Sequence, residues 1–510
     1  MQIIDRTAER RPVKAGRLLA VAAALSRRIR TQIPGLRVGI VLPSSAGCTI
    51  ANLAVLLAGK VPVNFNFTTG RAANEAGMRL GEVSVVLTAE AVQKKVPGFP
   101  WPERTLDLRQ EILACGRLAI AAWLAAVWLL PGRLIADLLD LPPTGDRDEA
   151  ALLFTSGSVG EPKGVVLSHR NLLGNCGQIS ATGLLPRADA IMACLPPFHS
   201  FGFTVTVWYP LLHGCRAVTL PSPLDTRKIV EAIEEEGVTV MIGAPTFLRP
   251  MLKKAERHEL RSLRLVVSGA ERMPLELFEA FKERFGLEIM QGYGLTETTP
   301  VANINLPDPP RPRGAAEFQR AHRLGSVGRL LPGMTARIVD PDTAEQLPLT
   351  ATGMIWLRGP NVFGGYLKDE EKTRAALNDG WFVTGDLGRF DDEGFLYIEG
   401  RLSRFSKIGG EMVPHGTVEQ KIIEACQIEQ HDGPAVVVVG VPDSAKGEAL
   451  VLLTTVDLDA AGLRDQLTAA GLPNLWIPRI IRKVDRIPVL GTGKTDLKEC
   501  RQLAQEAAKG

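Results

Sequence analysis

Thr155-Ser156-Gly157-Ser158-Val159-Gly160-Glu161-Pro162-Lys163-Gly164 is the stretch on which the reading of this chain turns. It follows a short apolar run, Ala150 to Phe154, that reads as a strand. Glycine lets backbone N–H groups approach a polyanion closely. The hydroxyls of Thr155, Ser156 and Ser158 add donors, Gly157 and Gly160 leave room, and Lys163 adds a mobile positive charge. The combination suits the triphosphate of ATP. No Gly-Lys-Ser/Thr sits at the spacing of a Walker A loop, which points away from P-loop NTPases and towards another way of using the nucleotide.

Three further segments stand in a fixed order behind it. They are Gln291-Gly292-Tyr293-Gly294-Leu295-Thr296-Glu297, then Gly380-Trp381-Phe382-Val383-Thr384-Gly385-Asp386 with Gly400-Arg401 after it, and Gly491-Thr492-Gly493-Lys494 near the C-terminus. Taken together, the four resemble the adenylate-forming superfamily of acyl-CoA synthetases, luciferase-like enzymes and carrier-protein-loading adenylation domains. The resemblance covers nearly the whole chain. It implies an α/β fold: a large N-terminal AMP-binding domain over 1–402, built of αβ layers with a small β-barrel over 324–400, and a mobile α+β domain over 403–510.

Composition agrees with such a protein. A chain of 510 residues exceeds one core and predicts at least two domains. A net charge of only +3 argues against a dedicated nucleic-acid binder. Seven cysteines without a C-x-x-C pair suggest neither a disulfide framework nor a zinc site. Met1 to Arg6 lacks the apolar core of a signal peptide, so a cytoplasmic location is expected, with the inner face of the cell membrane as a peripheral site. That addition comes from Leu118 to Leu130 (LAIAAWLAAVWLL), within 112–133, with Arg117 before it and Arg133 after. The run is short of the roughly 20 residues of a spanning helix. It reads either as a buried helix or as an interfacial one, with Trp123 and Trp128 at headgroup depth.

Periodicity places the motifs. Leu18 to Arg30 has helical spacing, Val38 to Leu42 reads as a strand, Ile50 to Gly59 as a helix and Val61 to Asn64 as the next strand, which suggests a parallel α/β layer. The alternation resumes at Ala190–Leu195, Val238–Ile242 and Leu263–Ser268. Pro307 to Arg323 reads as a loop, Gly325 to Gly400 as short β segments, and Gly400 to Arg404 as a hinge.

The chemistry these residues suit is attack of a carboxylate on the α-phosphate of ATP, which needs charge neutralisation and in-line positioning more than covalent help. Glu297 is the predicted Mg²⁺ ligand, since magnesium takes a few carboxylate oxygens besides phosphate oxygens. Thr296 beside it can donate to the α-phosphate, and Tyr293 offers a face for adenine. The superfamily motifs imply that Asp386 accepts the ribose hydroxyls, that Arg401 donates to ribose or phosphate, and that Ser268-Gly269-Ala270-Glu271 edges the adenine. They also imply that Lys494 serves adenylation only, before a domain rotation admits the thiol. Two positions depart from the pattern: Ser403 replaces the usual hinge Asp or Lys, and Val159 replaces a common threonine.

Pro196 to Phe203 resembles the acyl-pocket element, with Phe198, His199 and Phe203 as candidate lining. The apolar run Thr204–Leu212 after it favours a hydrophobic tail. Longer stretches narrow the resemblance: Leu153–Arg170, Arg404–Ile408 with Gly410–Val413, and Ser444–Leu452. They look like the acyl–acyl-carrier-protein synthetase half of bifunctional 2-acylglycerophosphoethanolamine acyltransferase. That implies a long-chain fatty acid and acyl carrier protein as partners, with CoA as the competing acceptor. No histidine has Asp five residues on, so the acyltransferase step would lie on a separate chain. Arg479, Arg482, Lys483 and Arg486 form a basic cluster suited to steering an acidic carrier.

Overall fold

The computed structural model describes residues 2–155, 162–310, 319–408, 411–428, 434–443, 447–489 and 495–509. Two largely parallel sheets form the body. A nine-stranded sheet runs from the edge strand Arg329–Leu330 through Val301–Ile304, Ile289–Gly294, Leu265–Ser268, Val240–Gly243, Ala190–Ala193, Arg216–Thr219 and Gln2–Asp5 to Arg11–Lys14. A seven-stranded sheet orders Gly365–Tyr366, Lys163–Ser168, Glu149–Thr155, Val61–Asn64, Arg37–Val41, Val85–Thr88 and Arg104–Asp107. The inner strands are buried along their whole length, as expected where both faces are covered.

Helices Ala15–Gln32 and Ala46–Leu57 lie between the sheets. Their apolar faces join Val38, Ile40 and Leu87 of one sheet to Ile3, Ala193 and Ala217 of the other in one cluster. Ser45 caps the second helix by accepting from the Cys48 N–H at 3.0 Å. Arg37 and Glu149 brace the seven-stranded sheet through a two-pronged ion pair, at 2.8 and 2.6 Å, that reaches across the strand between them.

A six-stranded antiparallel sheet covers Thr335–Val339 to Leu396–Arg401 in the open order Gln346–Leu347, Thr335–Val339, Gly353–Arg358, Trp381–Phe390, Leu377–Asn378, with Leu396–Arg401 also paired to the long strand. Most strands of the segment predicted as a barrel thus form this open sheet, while Arg329–Leu330 goes to the nine-stranded one and Gly365–Tyr366 to the seven-stranded one. Beyond it, strands Phe405–Ile408, Glu411–Pro414, Val436–Asp443, Gly447–Thr454 and Ile480–Lys483 make a five-stranded sheet with its own apolar clusters. Among the described residues, no buried member of those clusters precedes Ile408.

Helix Arg117–Leu129 answers the open question about the apolar run. Only Trp123 is buried in it, against helix Ala15–Gln32, and most of the other side chains face solvent. No single helix among the described residues is long and apolar enough to cross a membrane.

Candidate active site

The motifs converge at the carboxyl ends of the nine-stranded sheet's strands, where open α/β sheets gather their ligands. Strand Ile289–Gly294 carries the Tyr-Gly motif outward, and Thr296–Thr298 follows as one short helical turn. Its neighbour Leu265–Ser268 ends beside it, with Ser268 in register with Gln291. A Cβ on Gly269 would stand 3.5 Å from the Gly292 carbonyl oxygen, so the Gly269-Ala270-Glu271 segment lies against the Tyr-Gly motif. Ala270 has a φ of +71°, a left-handed conformation, and Glu271 accepts from the Thr246 hydroxyl at 3.1 Å.

The turn bearing Thr296 and Glu297 is held from below by a buried polar network. Thr298 Oγ1 accepts from the Leu295 N–H at 2.9 Å. Asn361 Nδ2 donates to the Thr298 carbonyl at 2.7 Å, and Thr299 Oγ1 donates to the Asn361 carbonyl at 2.7 Å. Asn175 exchanges two hydrogen bonds with the Val301 backbone, and Asn171 donates to the carbonyls of Pro360 and Val362. These bonds hold the turn from several sides, with Asn361 Oδ1 left as a buried acceptor without a partner.

Glu297 is therefore presented in a fixed place. The Tyr366 hydroxyl donates to its Oε1 at 2.8 Å, and the Lys163 ammonium stands 5.0 Å from the centre of the Tyr366 ring. Burial and the neighbouring Glu297 carboxylate push the Tyr366 phenol well above its ordinary value, so it stays a donor. Tyr366 reaches this position because strand Gly365–Tyr366 pairs with Val165 and Val166, just after Lys163. Thr155 and Lys163 face each other across an antiparallel pair of strands. A Walker loop runs from a strand into a helix, and strand Lys163–Ser168 stands where that helix would begin, in agreement with its exclusion. Ser156, Gly157, Ser158 and Gly160 lie outside the described residues, as does Lys494.

Asp386 and Arg401 are cross-strand partners, in register on Trp381–Phe390 and Leu396–Arg401. Asp386 is buried; its Oδ1 meets Arg401 Nε at 3.1 Å and its Oδ2 accepts from the Tyr293 hydroxyl at 2.6 Å. Burial raises the Asp386 carboxyl above the ordinary carboxylate range, with Arg401 opposing it. Burial and that same carboxylate hold the Tyr293 phenol far above its own usual value. Tyr293 thus orients the carboxylate predicted to take the ribose. Arg401, 63 % exposed, keeps most of its guanidinium open.

The acyl element abuts the nucleotide element. Ser200 Oγ donates to Thr296 Oγ1 at 3.4 Å. His199 is exposed, with its ring 4.8 Å from that of Phe198, and Phe198 in turn meets Phe67 edge-on at 5.3 Å. Phe203 differs from its predicted place. It has no exposed surface and packs edge-on against Trp208 inside the main core, so it backs the site instead of lining it. The apolar run Thr204–Leu212 passes from the helical turn Gly202–Trp208 into helix Tyr209–His213; it is buried as far as Pro210, where its composition follows from core packing, and Leu212 is exposed. Ser403 lies exposed in the short turn Leu402–Arg404.

The donor set fits MgATP. Ser268 Oγ is buried without a protein partner directly before the Gly269-Ala270-Glu271 segment, a polar atom suited to a ligand's edge. Glu297, with Thr296 beside it and Lys163 close by, supplies the oxygen-and-cation arrangement that magnesium phosphate takes. Tyr366, Ser200, Asn171, Asn175 and Asn361 were not singled out in the sequence. Only the Gly364-Gly365-Tyr366 run, two glycines before an aromatic, offered a signal there.

The AMP-binding enzyme family matches residues 16–367. The long-chain-fatty-acid–CoA ligase of Bacillus subtilis (strain 168) is 29 % identical over 489 residues, spanning 90 % of this chain and 84 % of that protein. The 4-coumarate–CoA ligase-like 9 protein of Arabidopsis thaliana is 30 % identical over 518 residues, 96 % of this chain and 84 % of its own. Among solved structures, ATP-bound MatB from Rhodopseudomonas palustris superposes with a TM-score of 0.76 at 26 % identity, covering 98 % of this chain and 95 % of its own.

Proposed function

The chain belongs to the AMP-binding enzyme family, and from that premise we propose that it joins a long-chain fatty acid to the thiol of an acyl carrier protein by way of an acyl-adenylate. At the coarser level it is an AMP-forming acid–thiol ligase that uses ATP and Mg²⁺. The observation that carries the reading is the chain Lys163–Tyr366–Glu297, which brings the lysine of the glycine-hydroxyl stretch near the carboxylate predicted to hold Mg²⁺.

The steps follow from that placement. A carboxylate oxygen forms a bond to the α-phosphorus of ATP while the bond to the β-phosphate oxygen breaks and pyrophosphate leaves. Glu297 would hold Mg²⁺, whose charge neutralises the phosphate oxygens. Thr296, beside Ser200 and next to the turn held by the asparagine network, would donate to the α-phosphate. Asp386, oriented by Tyr293 and Arg401, takes the ribose. In the second half the thiol sulfur attacks the acyl carbon, its proton goes to solvent, and AMP leaves. Lys494 is assigned to the first half only. We expect Lys494→Ala to lose fatty-acid-dependent ATP–pyrophosphate exchange while still forming thioester from supplied acyl-adenylate. Loss of both in a folded variant would overturn that division.

The long motif stretches support the carrier protein as acceptor. Two of the four basic residues expected to steer it are engaged, Arg482 with Glu506 at 3.0 Å and Lys483 with Asp457 at 2.6 Å, which leaves Arg479 and Arg486 for the task. CoA is the second reading, favoured by relatives named as CoA ligases. Offering both thiols side by side with ATP, Mg²⁺ and a panel of fatty acids, and weighing the products, decides between them. A product on CoA alone rejects the carrier. A separate acyltransferase chain would then pass the acyl group to a lysophospholipid.

A further inference from the structure

An apolar ridge stands on the outside of the molecule, away from the residues assigned to catalysis. In helix Arg117–Leu129, Leu118 is 88 % exposed, Trp128 74 % and Leu129 79 %, and Leu113 of the preceding helix is 69 % exposed. A contiguous exposed apolar surface of this kind marks an interaction site. The ridge is held firmly. Trp123 packs into helix Ala15–Gln32 with the Arg27 guanidinium 5.0 Å from its ring centre. The Trp128 indole rests along Gly16, where a Cβ would lie 3.3 Å from its Nε1.

Cations rim it. Arg109, Arg117 and Arg133 flank the ridge in sequence, and Lys14 and Arg17 stand on either side of the Gly16 that Trp128 touches; all five are exposed. None of the five has an ion-pair partner among the described residues. The acidic groups of the same segment are mostly engaged: Glu111 pairs with Arg28 at 3.0 Å and Asp140 with Arg30 at 3.1 Å, while Asp137 is exposed.

We propose that this ridge docks the protein flat on an anionic lipid bilayer, with Leu118, Trp128 and Leu129 at headgroup depth and the surrounding arginines on lipid phosphates. Tryptophan and leucine beside arginine is the chemistry of that interface. No single helix among the described residues is long and apolar enough to span; Leu108–Ala114 and Arg117–Leu129 reach that length and composition only together, as a pair bent by 83°, and it is the exposed face of the second helix that is offered to the bilayer surface. A two-fold copy of the chain would set each arginine rim against its own counterpart. An acidic carrier protein would match the rim and leave the leucine–tryptophan ridge without a partner. Access to acyl chains dissolved in the bilayer is the benefit, and that part rests on the ligase reading; the docking does not.

Co-sedimentation of the full chain with vesicles tests it, using phosphatidylcholine alone and with roughly 30 % phosphatidylglycerol. The expected result is at least about tenfold stronger partition onto the anionic vesicles, falling about tenfold in a Trp128→Glu, Leu129→Glu double variant. Arg117→Glu with Arg133→Glu is expected to lose the anionic preference at low salt. Unchanged thermal melts and unchanged ATP–pyrophosphate exchange with a water-soluble acid show that these variants remain folded. The proposal is overturned if the parent protein ignores both vesicles, if the double variant binds as well as the parent, or if the ridge substitutions dissolve a dimer or abolish carrier binding and leave lipid binding unaltered. Absent exchange with intact vesicle binding would reject the ligase reading alone.

Discussion

Glu297 owes its usefulness to one phenol. A carboxylate proposed to hold Mg²⁺ would gain from having one oxygen pinned, and Tyr366 donates to Glu297 Oε1 at 2.8 Å. Glu297→Gln is expected to cut adenylation by about a hundredfold or more, because a charge aimed at the phosphates is lost. Tyr366→Phe is expected to cost roughly tenfold at limiting Mg²⁺ and to recover as Mg²⁺ is raised, since only the orientation of the ligand is affected. A magnesium titration of ATP–pyrophosphate exchange distinguishes the two, and a Tyr366→Phe loss that excess metal leaves in place would count against the positioning role. On the other flank, Tyr293 and Arg401 each occupy one oxygen of buried Asp386. Asp386→Asn should raise the KM for ATP by about tenfold or more with a smaller change in kcat, as expected when binding common to ground and transition states is removed.

At the scale of elements, two local arrangements carry measurable weight. The turn Gly202–Trp208 starts so close to the preceding backbone that a Cβ on Gly202 would stand 2.3 Å from the Pro196 carbonyl oxygen and 2.9 Å from that of Leu195. Backbone atoms cannot swing aside, so Gly202→Ala should destabilise the large domain by about 2 kcal/mol or more in urea unfolding. The second is the buried contact of Ser406 Oγ with His415 Nε2 at 2.9 Å, between strand Phe405–Ile408 and helix His415–Ala425. Burial, helped by Arg404 and Arg501, lowers the His415 imidazole to about 3. The folded state thus keeps it neutral, whereas the unfolded chain takes up a proton near 6.5. Its contribution is fully present above that unfolded value and is lost as pH falls from about 6.5 towards 3, by at most about 1.4 kcal/mol per pH unit. Unfolding of the C-terminal part followed against pH should show this acid limb, and His415→Gln should flatten it.

For the whole molecule, the decisive joint runs through 401–404. Arg401 is tied to Asp386 on the large body, whereas Arg404 makes a two-pronged pair with Glu419, at 2.6 and 2.7 Å, and donates to the Val438 carbonyl in the C-terminal sheet. Leu402 and Ser403 are left between two anchored arginines, which is where a rotation would be absorbed. Arg404→Ala would leave the largely covered Glu419 carboxylate with the Val438 N–H but no cation, and should cost about 3 kcal/mol in the stability of the C-terminal part. Lys407 also meets Asp342 across the two parts at 2.5 Å, but both side chains are more than half exposed. A double-mutant cycle on that pair should show little coupling, and none at high salt.

Much of the fold was legible because its signals are local. Val61–Asn64 reads as a strand from its apolar run alone, and helix Ala15–Gln32 from the apolar spacing of Leu18 to Arg30. The Tyr-Gly-Leu-Thr-Glu turn was likewise marked by its residue types, whereas Asp386 and Arg401 were singled out only through the superfamily resemblance. What escaped is what long-range packing creates. Tyr366 lies 69 residues from Glu297, and Asn175 lies 126 from the Val301 backbone it holds; nothing in either neighbourhood announces the partner. Phe203 looked like a pocket residue because apolar composition is the same in a core as in a cavity wall, and only burial tells them apart. The run Leu118–Leu130 carried the same ambiguity in reverse. The amino-acid order thus determined which chemical groups exist and which short segments are helix, strand or turn, since these depend on neighbours in the chain. Tertiary structure alone decided which of those groups meet and which face water, because both depend on where distant segments come to rest.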